Sequence, residues 1–343
     1  MRKLLNTLYV STQGAYLRVE SETVVVEVER EKRLQRPFHG LGGIVCFGNV
    51  LCSPFLLGAC AERGIAVSFL TEYGRFLASV RGPVSGNVLL RRNQYRMADD
   101  EAASRGIAAN LVSGKLSNCR VVLNRAVRDH GDTVGVEALK KASGAVERII
   151  ARVQRMETVD EIRGFEGEAA AKYFEVFNHL IVEQKDDFVF RGRTRRPPLD
   201  EVNALLSFIY TLLAHDVRSA LETVGLDPQV GFLHRDRPGR AGLALDMMEE
   251  FRPVLADRLV LSLINRRQVN KRDFTKAASG AVRMNDGARK TVLTEYQNRK
   301  QDEVLHPYID EKVKIGMLFF VQANLIARYI RGDIDGYPPF FWR

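Results

Sequence analysis

The chain has 343 residues, 45% of them hydrophobic and 27% charged, with a formal net charge of +9. That is the length of two domains and the hydrophobic share of a soluble globular protein with a substantial core. The longest apolar runs, such as "GIVCFGNVLCSPFLLGACA", are interrupted by Gly, Asn, Ser and Pro. They fall short of the roughly 20 uninterrupted apolar residues of a membrane span, so no membrane association is expected. The N-terminal "MRKLLNTLYVSTQG" has a basic pair, but its apolar stretch is short and alternates with polar residues. It reads as a strand and not as a signal peptide, which makes the cytoplasm the expected compartment.

The first eighty or so residues are β-rich. "LNTLYVST", "AYLRVES", "TVVVEVER", "GGIVCFG", "AVSFLT" and "RFLASV" are strand-like runs. One helix fits between them, "SPFLLGACAERG", with Ser53 as N-cap, Pro54 in its first turn and Gly64 just past its end. "RGPVSGN", Arg81 to Asn87, is punctuated by Gly and Pro and reads as a linker. Beyond it the pattern is helical almost to the end: "VLLRRNQYRMADDEAA", "AANLVSGKLSNCRVVLNRAVRDH", "VEALKKASGAVERIIARVQRME", "GEAAAKYFEVFNHLIV", "LDEVNALLSFIYTLLAHDVRSALETV" and "EVLHPYIDEKVKIGMLFFVQANLIARYIRG". The expected fold is α+β, with a small β-rich N-terminal domain at residues 1–84 and a larger all-α domain at 85–343 that carries the functional site. The four cysteines, Cys46, Cys52, Cys60 and Cys119, form no CxxC pair. They read as buried free thiols and not as a zinc site.

The stretch "GFLHRDRPGRAGLALDMMEEFRP", Gly231 to Pro253, holds the chemistry. A helix is expected from Gly242 to Phe251, ended by Pro253. At 3.6 residues per turn, Leu243, Ala244, Met247, Met248 and Phe251 share one arc, while Asp246, Glu249 and Glu250 share the opposite one. Such a face is either a solvated acidic surface over a core stripe or part of a metal site. The acids have no Lys or Arg among them, and His234 lies upstream across a loop that can fold back. An imidazole with clustered carboxylates is a ligand set for Mg²⁺ or Mn²⁺. A further acid is then needed. Glu166, flanked by Gly164 and Gly167 ahead of the helix-favouring "EAAAKYF", is the candidate, with Glu168 competing. At a helix start the same carboxylate could simply favour the macrodipole.

Much of the basic excess is clustered arginine, in "RGRTRR", "HRDRPGR" and "NRRQVNKR". Guanidinium groups pair with phosphate oxygens, which points to DNA or another polyanion as partner. Arg193, Arg195, Arg196 and Arg240 are the candidate DNA contacts. The first three sit in a polar, Pro-terminated loop from which surface side chains without a structural part are expected. The C-terminal "YPPFFWR", Tyr337 to Arg343, is an aromatic segment that should be covered, either by the α domain or by a partner chain.

Taken together, "RGFEGEAAAKYF", "RRPPLDEVNALLSFIY", "GFLHRDRPGRAGLALDMMEEFRP" and the "YPPFFW" tail resemble the CRISPR-associated integrase of the adaptation module, the Cas-one family, in its type I-C variant. The resemblance covers essentially the whole chain in order. It implies that Glu166, His234 and Glu249 hold a divalent metal, that Asp246 also lines the site, and that Glu250 is only a neighbour. It implies a homodimer, for which the N-terminal domain is the expected seat, and a small second protein of the Cas-two family. The implied activity is insertion of captured DNA as new CRISPR spacers by transesterification, for antiviral defence. If water attacks instead, the same site is an endonuclease. A non-catalytic DNA-binding scaffold and a metal-dependent phosphohydrolase of small molecules are the competing functions.

Overall fold

The computed structural model describes residues 6–72, 76–80, 88–131 and 135–342. The chain divides into two units, Met1–Gly86 and Asn87–Arg343. The linker expected at residues 81–87 lies outside the described residues.

The first unit is built from β1 (Asn6–Val10), β2 (Tyr16–Glu20), β3 (Thr23–Val28), β4 (Glu31–Pro37), β5 (Leu41–Phe47), β6 (Leu51–Cys52), α1 (Pro54–Glu62), β7 (Ala66–Leu70) and β8 (Phe76–Val80). They form two four-stranded sheets, ordered β1-β5-β7-β8 and β4-β3-β2-β6. Val24, Val26, Leu17, Ile44, Cys46 and Val67 belong to one buried core with Leu56 and Cys60 of α1. The helix is capped as its sequence requires: the Ser53 hydroxyl accepts the Leu56 N–H at 3.2 Å, and Gly64 takes a φ of +67°. Strand β4 was not legible in the sequence. It is a polar edge strand, "EKRLQRP", mostly exposed, so no core face imposes alternation on it. The turn into it is made by Glu29 and Arg30, at φ of 53° and 66°, and not by the Asn-Gly that usually announces such a hairpin.

The second unit holds α2 (Val88–Asp99), α3 (Glu101–His130), α4 (Val136–Val153), α5 (Val159–Glu175), α6 (Glu201–Thr223), α7 (Gly242–Met248), a π-helical turn at Arg252–Asp257, α8 (Arg258–Asn265), β9 (Phe274–Lys276), β10 (Val282–Met284), α9 (Asp286–Gln301), β11 (Glu303–His306), β12 (Glu311–Lys314) and α10 (Ile315–Arg331). Asp100 ends the run "ADDEAA" as a single helix: its carboxylate caps α3 by accepting from Ala102 and Ala103. The long helix expected from Glu303 onward is instead a hairpin followed by α10, because Pro307 and Asp310, at φ 53°, turn the chain.

Helix α3 is the axis of this unit. Apolar residues Ala108, Ala109, Val112 and Leu116 pack on Val146 and Ile149 of α4 and on Ile162 and Ala169 of α5. Polar positions on α3 are buried too, among them Lys115 and Asn118. Helix α5 begins with a capping box: Thr158 accepts the Glu161 N–H, and Glu161 accepts the Thr158 N–H. The helix therefore starts well before Glu166. Gly164, Glu166 and Gly167 are helix-interior residues, and Glu166 does not stand at a helix start as expected. On the other side, α6 is pinned to α9 by a buried ion pair. The Lys300 ammonium and the Tyr296 hydroxyl both donate to Asp216 Oδ2, at 2.7 and 2.9 Å. No helix among the described residues is long and apolar enough to cross a membrane.

Lys300→Met would leave the Asp216 carboxylate buried without its cation. A loss of about 3–5 kcal/mol in urea unfolding is expected. Adding Asp216→Leu to that variant should recover most of it, because the uncompensated charge is removed as well.

Candidate metal centre

The segment before α7 wraps around one carboxylate. Asp246 is fully buried, and its Oδ2 accepts the backbone N–H groups of Phe232 (2.6 Å) and Leu233 (2.9 Å). Its Oδ1 accepts the His234 N–H at 3.0 Å and lies 2.6 Å from His234 Nδ1. An ionised carboxylate only accepts, so Nδ1 carries the proton; in the neutral ring Nε2 then keeps its lone pair. Gly231 is needed for this wrap, since a Cβ there would stand 2.6 Å from Asp246 Oδ2. Asp246 is thus engaged on both oxygens and orients His234. Its lone pairs are used by three amides and an imidazole, whereas the resemblance implied only that Asp246 lines the site.

Glu166 and Glu249 come from different elements and meet at one ammonium. The Lys115 side chain, rising from α3, bonds Glu166 Oε1 and stands 2.7 Å from Glu249 Oε2. Arg252 closes on the other Glu249 oxygen at 2.6 Å. Burial alone would raise the Glu249 carboxyl. Arg252 and Lys115 outweigh burial, with help from His234, and hold the group at about 2, so it is ionised at neutral pH. Burial also works against the Lys115 ammonium, but Glu249 and Glu166 leave its pKa raised. Arg252 in turn lies 4.8 Å from the Tyr210 ring centroid, and Tyr210 donates to buried Asp257 at 2.6 Å. Burial lifts Asp257 to about 6 despite the hydroxyls of Tyr210 and Tyr173 that donate to it.

The donor set fits a hard divalent cation in two respects. Buried Glu249 Oε2 has the Lys115 ammonium at 2.7 Å as its cationic partner, so it is a carboxylate oxygen already engaged by a cation. His234 Nε2 is the free nitrogen of a ring whose tautomer is fixed by a carboxylate, the arrangement found behind metal-binding histidines. Among the described residues, however, no three His, Cys, Asp or Glu side chains converge closely enough to hold an ion as they stand. The fold brings Glu166 and Glu249 to a shared cation and holds His234 on Asp246.

The acidic face expected on one helix is not solvated. The helix ends at Met248, and Asp246, Glu249 and Glu250 are all buried. Pro253 does not stop the chain from coiling; it sits in the first turn of the π-helical segment. Glu250 holds the C-terminal tail. Its carboxylate accepts from the Tyr337 hydroxyl (2.7 Å), Gln322 Nε2 (3.0 Å) and the Phe340 N–H (2.9 Å). Asn118, one turn beyond Lys115 on α3, donates to the Glu250 and Phe340 carbonyls and accepts the Trp342 N–H. Tyr337 and Phe340 are buried, and Phe340 stacks on Phe251 at 6.0 Å. The tail folds back onto its own chain. Its role beside the site was missed because Glu250 has no neighbour in sequence that reveals a buried partner.

The arginines separate into two groups. Arg195 and Arg196 are exposed and Arg240 is half-buried. Arg193 is structural, contrary to expectation. Its Nη1 donates to Asn203 Oδ1 at 2.7 Å and to the Ser207 hydroxyl at 3.2 Å, and its guanidinium lies 5.2 Å from the Tyr210 ring centroid. The loop turns it inward because α6 offers those acceptors. Lys115 was not singled out by sequence reasoning, since one lysine on a long helix carries no signal by itself.

Comparison with known proteins gives a consistent picture. Residues 8–298 match the family model described as "CRISPR associated protein Cas1". A "CRISPR-associated endonuclease Cas1 1" from Chlorobaculum tepidum is 57% identical over 343 residues, covering 100% of both chains. Among solved structures, a CAS1 protein from Thermotoga maritima superposes with a TM-score of 0.81 at 23% identity, covering 95% of this chain and 97% of that one. A structure titled "Cas6-RT-Cas1--Cas2 complex" gives 0.82 at 23% identity, covering 99% of this chain and 36% of that one.

Burial raises Glu250 to about 8, above its ordinary 4.5, despite the Phe340, Tyr337 and Gln322 donors. The folded chain then binds more protons than the unfolded one between those values. This contribution to stability is fully present below pH 4.5 and is lost as pH rises through about 8. The difference in unfolding free energy between the wild-type chain and Glu250→Gln should fall across that window and level off above it. Deleting residues 337–343 should lower stability by about 3–5 kcal/mol, the usual loss for a buried aromatic anchor.

Proposed function

Because the chain belongs to the Cas1 family of CRISPR-associated proteins, we propose that it is the endonuclease–integrase of CRISPR adaptation, acting through a divalent cation held by Glu166, His234 and Glu249. The observation that carries the site assignment is the meeting of two carboxylates from separate elements at one buried cation, with His234 oriented by Asp246. On the motif resemblance, we assign the chain to the type I-C variant.

In the proposed reaction the 3′-hydroxyl of a captured DNA fragment attacks a phosphodiester at the repeat border. A new P–O bond forms to that 3′-oxygen, the existing P–O3′ bond breaks, and the repeat strand leaves with a 3′-hydroxyl. Bound Mg²⁺ or Mn²⁺ supplies neutralisation of the charge that builds on the phosphoryl oxygens and lowers the pKa of the attacking hydroxyl. Glu166 and Glu249 Oε2 would be its oxygen ligands and His234 Nε2 its nitrogen ligand. Asp246 keeps the proton on Nδ1, so that Nε2 is presented as a donor of electrons and not of a proton. Arg252 keeps Glu249 ionised and fixes its second oxygen. Exposed Arg195 and Arg196, with Arg240, serve the DNA backbone without reading bases. The assembly we propose contains a second copy of this chain and a small Cas2-family protein. Self-association is assigned to the first unit, where Phe55 and Leu51 are 80% and 64% exposed.

The test is integration of a labelled duplex into an array plasmid by the chain with its partner protein and Mn²⁺. Glu166→Gln and His234→Ala should each lower the rate by about two orders of magnitude or more while melting cooperatively. Rates within a few-fold of wild type would reject the site. Replacing Arg195 and Arg196 by Ala should flatten the slope of log DNA affinity against log salt by about two, near 0.9 per phosphate contact. Arg193→Ala should instead lower thermal stability. An unchanged slope in the double variant would remove Arg195 and Arg196 from the DNA path.

A further inference from the structure

Lys115 stands where the proposed ion has to bind. Its ammonium contacts the two oxygens, Glu166 Oε1 and Glu249 Oε2, that would ligate a cation. With Arg252 on Glu249 Oε1, the local charge of two carboxylates is already balanced by two cations. A divalent ion added without rearrangement would meet a neutral pair and a nearby ammonium, and would be repelled as much as attracted.

The root of this side chain is fixed. At Gly114 an added Cβ would lie 2.9 Å from Pro339 Cβ and 3.3 Å from Glu250 Cγ, so α3 sits close against the tail and the acidic segment. Asn118 ties the next turn to the Glu250 and Phe340 carbonyls at 2.8 and 2.9 Å. Backbone movement of α3 is therefore a poor way to free the carboxylates, and the flexible lysine stem is the part that can move. The Lys115 and Glu249 side chains are 8% and 3% exposed while that of Glu166 is 25% exposed, so solvent reaches the trio on the Glu166 side.

The contact also differs from an ordinary buried pair of the same unit. Lys300 makes a hydrogen bond to Asp216, and that oxygen is further satisfied by Tyr296. Lys115 instead divides its ammonium between two carboxylates, Glu166 Oε1 and Glu249 Oε2, with no hydroxyl among the described residues to share the load. An ammonium shared between two acids at a partly exposed site suits exchange of one cation for another.

We propose that Lys115 is the built-in counter-ion of the metal site, and that a divalent ion binds by displacing its ammonium from Glu166 and Glu249. This rests on the metal reading above and adds that the resident ammonium sets the site's affinity.

Mn²⁺ affinity of the full chain, measured by calorimetry without DNA, tests it. Lys115→Met and Lys115→Gln should bind Mn²⁺ about tenfold tighter than wild type, the scale of effects from residues adjoining metal ligands. Both should also gain more in melting temperature from added Mn²⁺. Equal or weaker binding overturns the inference. Glu166→Gln in the wild-type background is the control: if Mn²⁺ affinity does not fall there, the metal reading itself fails, whatever the lysine variants do. A measurement on the unaltered chain covers the case in which neither variant folds. With ¹⁵N-labelled lysine, the Nζ resonance of Lys115 should lose its carboxylate hydrogen bond when Mg²⁺ is added. A resonance that stays in place while Mg²⁺ saturates the site overturns the inference.

Discussion

Two carboxylates held at one buried ammonium impose the order of the second unit. Glu249 is almost fully enclosed, and a lone ionised carboxylate in such a place would cost several kcal/mol. Lys115 and Arg252 offset that cost, and each needs its own support. Lys115 requires α3 to pass through the middle of the domain. Arg252 requires the turn after α7 to bring a guanidinium back over Tyr210, where Asp257 and Arg193 complete the arrangement. Glu249 is thereby kept ionised, and the shared ammonium holds it close to Glu166.

Around this centre the fold uses backbone groups to fix side chains. Three consecutive amides, from Phe232 to His234, converge on Asp246, and the imidazole is oriented by the same carboxylate. Glu250 does the opposite job, gathering a backbone N–H and two side chains to hold the tail against α3. Asp246, Glu249 and Glu250 therefore have three distinct roles within five residues. One orients the histidine, one faces the shared cation and one secures the C-terminus. For a phosphoryl-transfer site this matters because misplacing a ligand by about 1 Å can cost as much as 10²-fold in rate.

Much of this was legible in the sequence, and the failures have identifiable causes. The β-rich start, the capped helix at Ser53 and the α-helical remainder follow from periodicity and capping residues. Strand β4 was lost because an edge strand of charged residues has no buried face to set a pattern. The hairpin β11–β12 was absorbed into a helix because its strands, "EVLH" and "EKVK", are four residues each and contain helix-compatible Glu, Leu and Lys. Glu166, His234 and Glu249 were visible as residue types that suit a cation, together with a family resemblance. Their counter-ion was invisible, since Lys115 is 51 residues from Glu166 and no local rule links the two. Arg193 was misassigned for a related reason: loop composition predicted exposure, while Asn203 and Ser207 on α6 supplied partners that only tertiary structure brings near.

The most direct test of the account is a crystal of the full chain soaked in Mn²⁺ and measured at the manganese absorption edge. The account predicts one anomalous peak within about 2–2.6 Å of Glu166, Glu249 Oε2 and His234 Nε2, with Asp246 still on Nδ1 and the Lys115 ammonium moved off both carboxylates. A peak bound elsewhere, or Lys115 still between Glu166 and Glu249 with no manganese beside them, would contradict it.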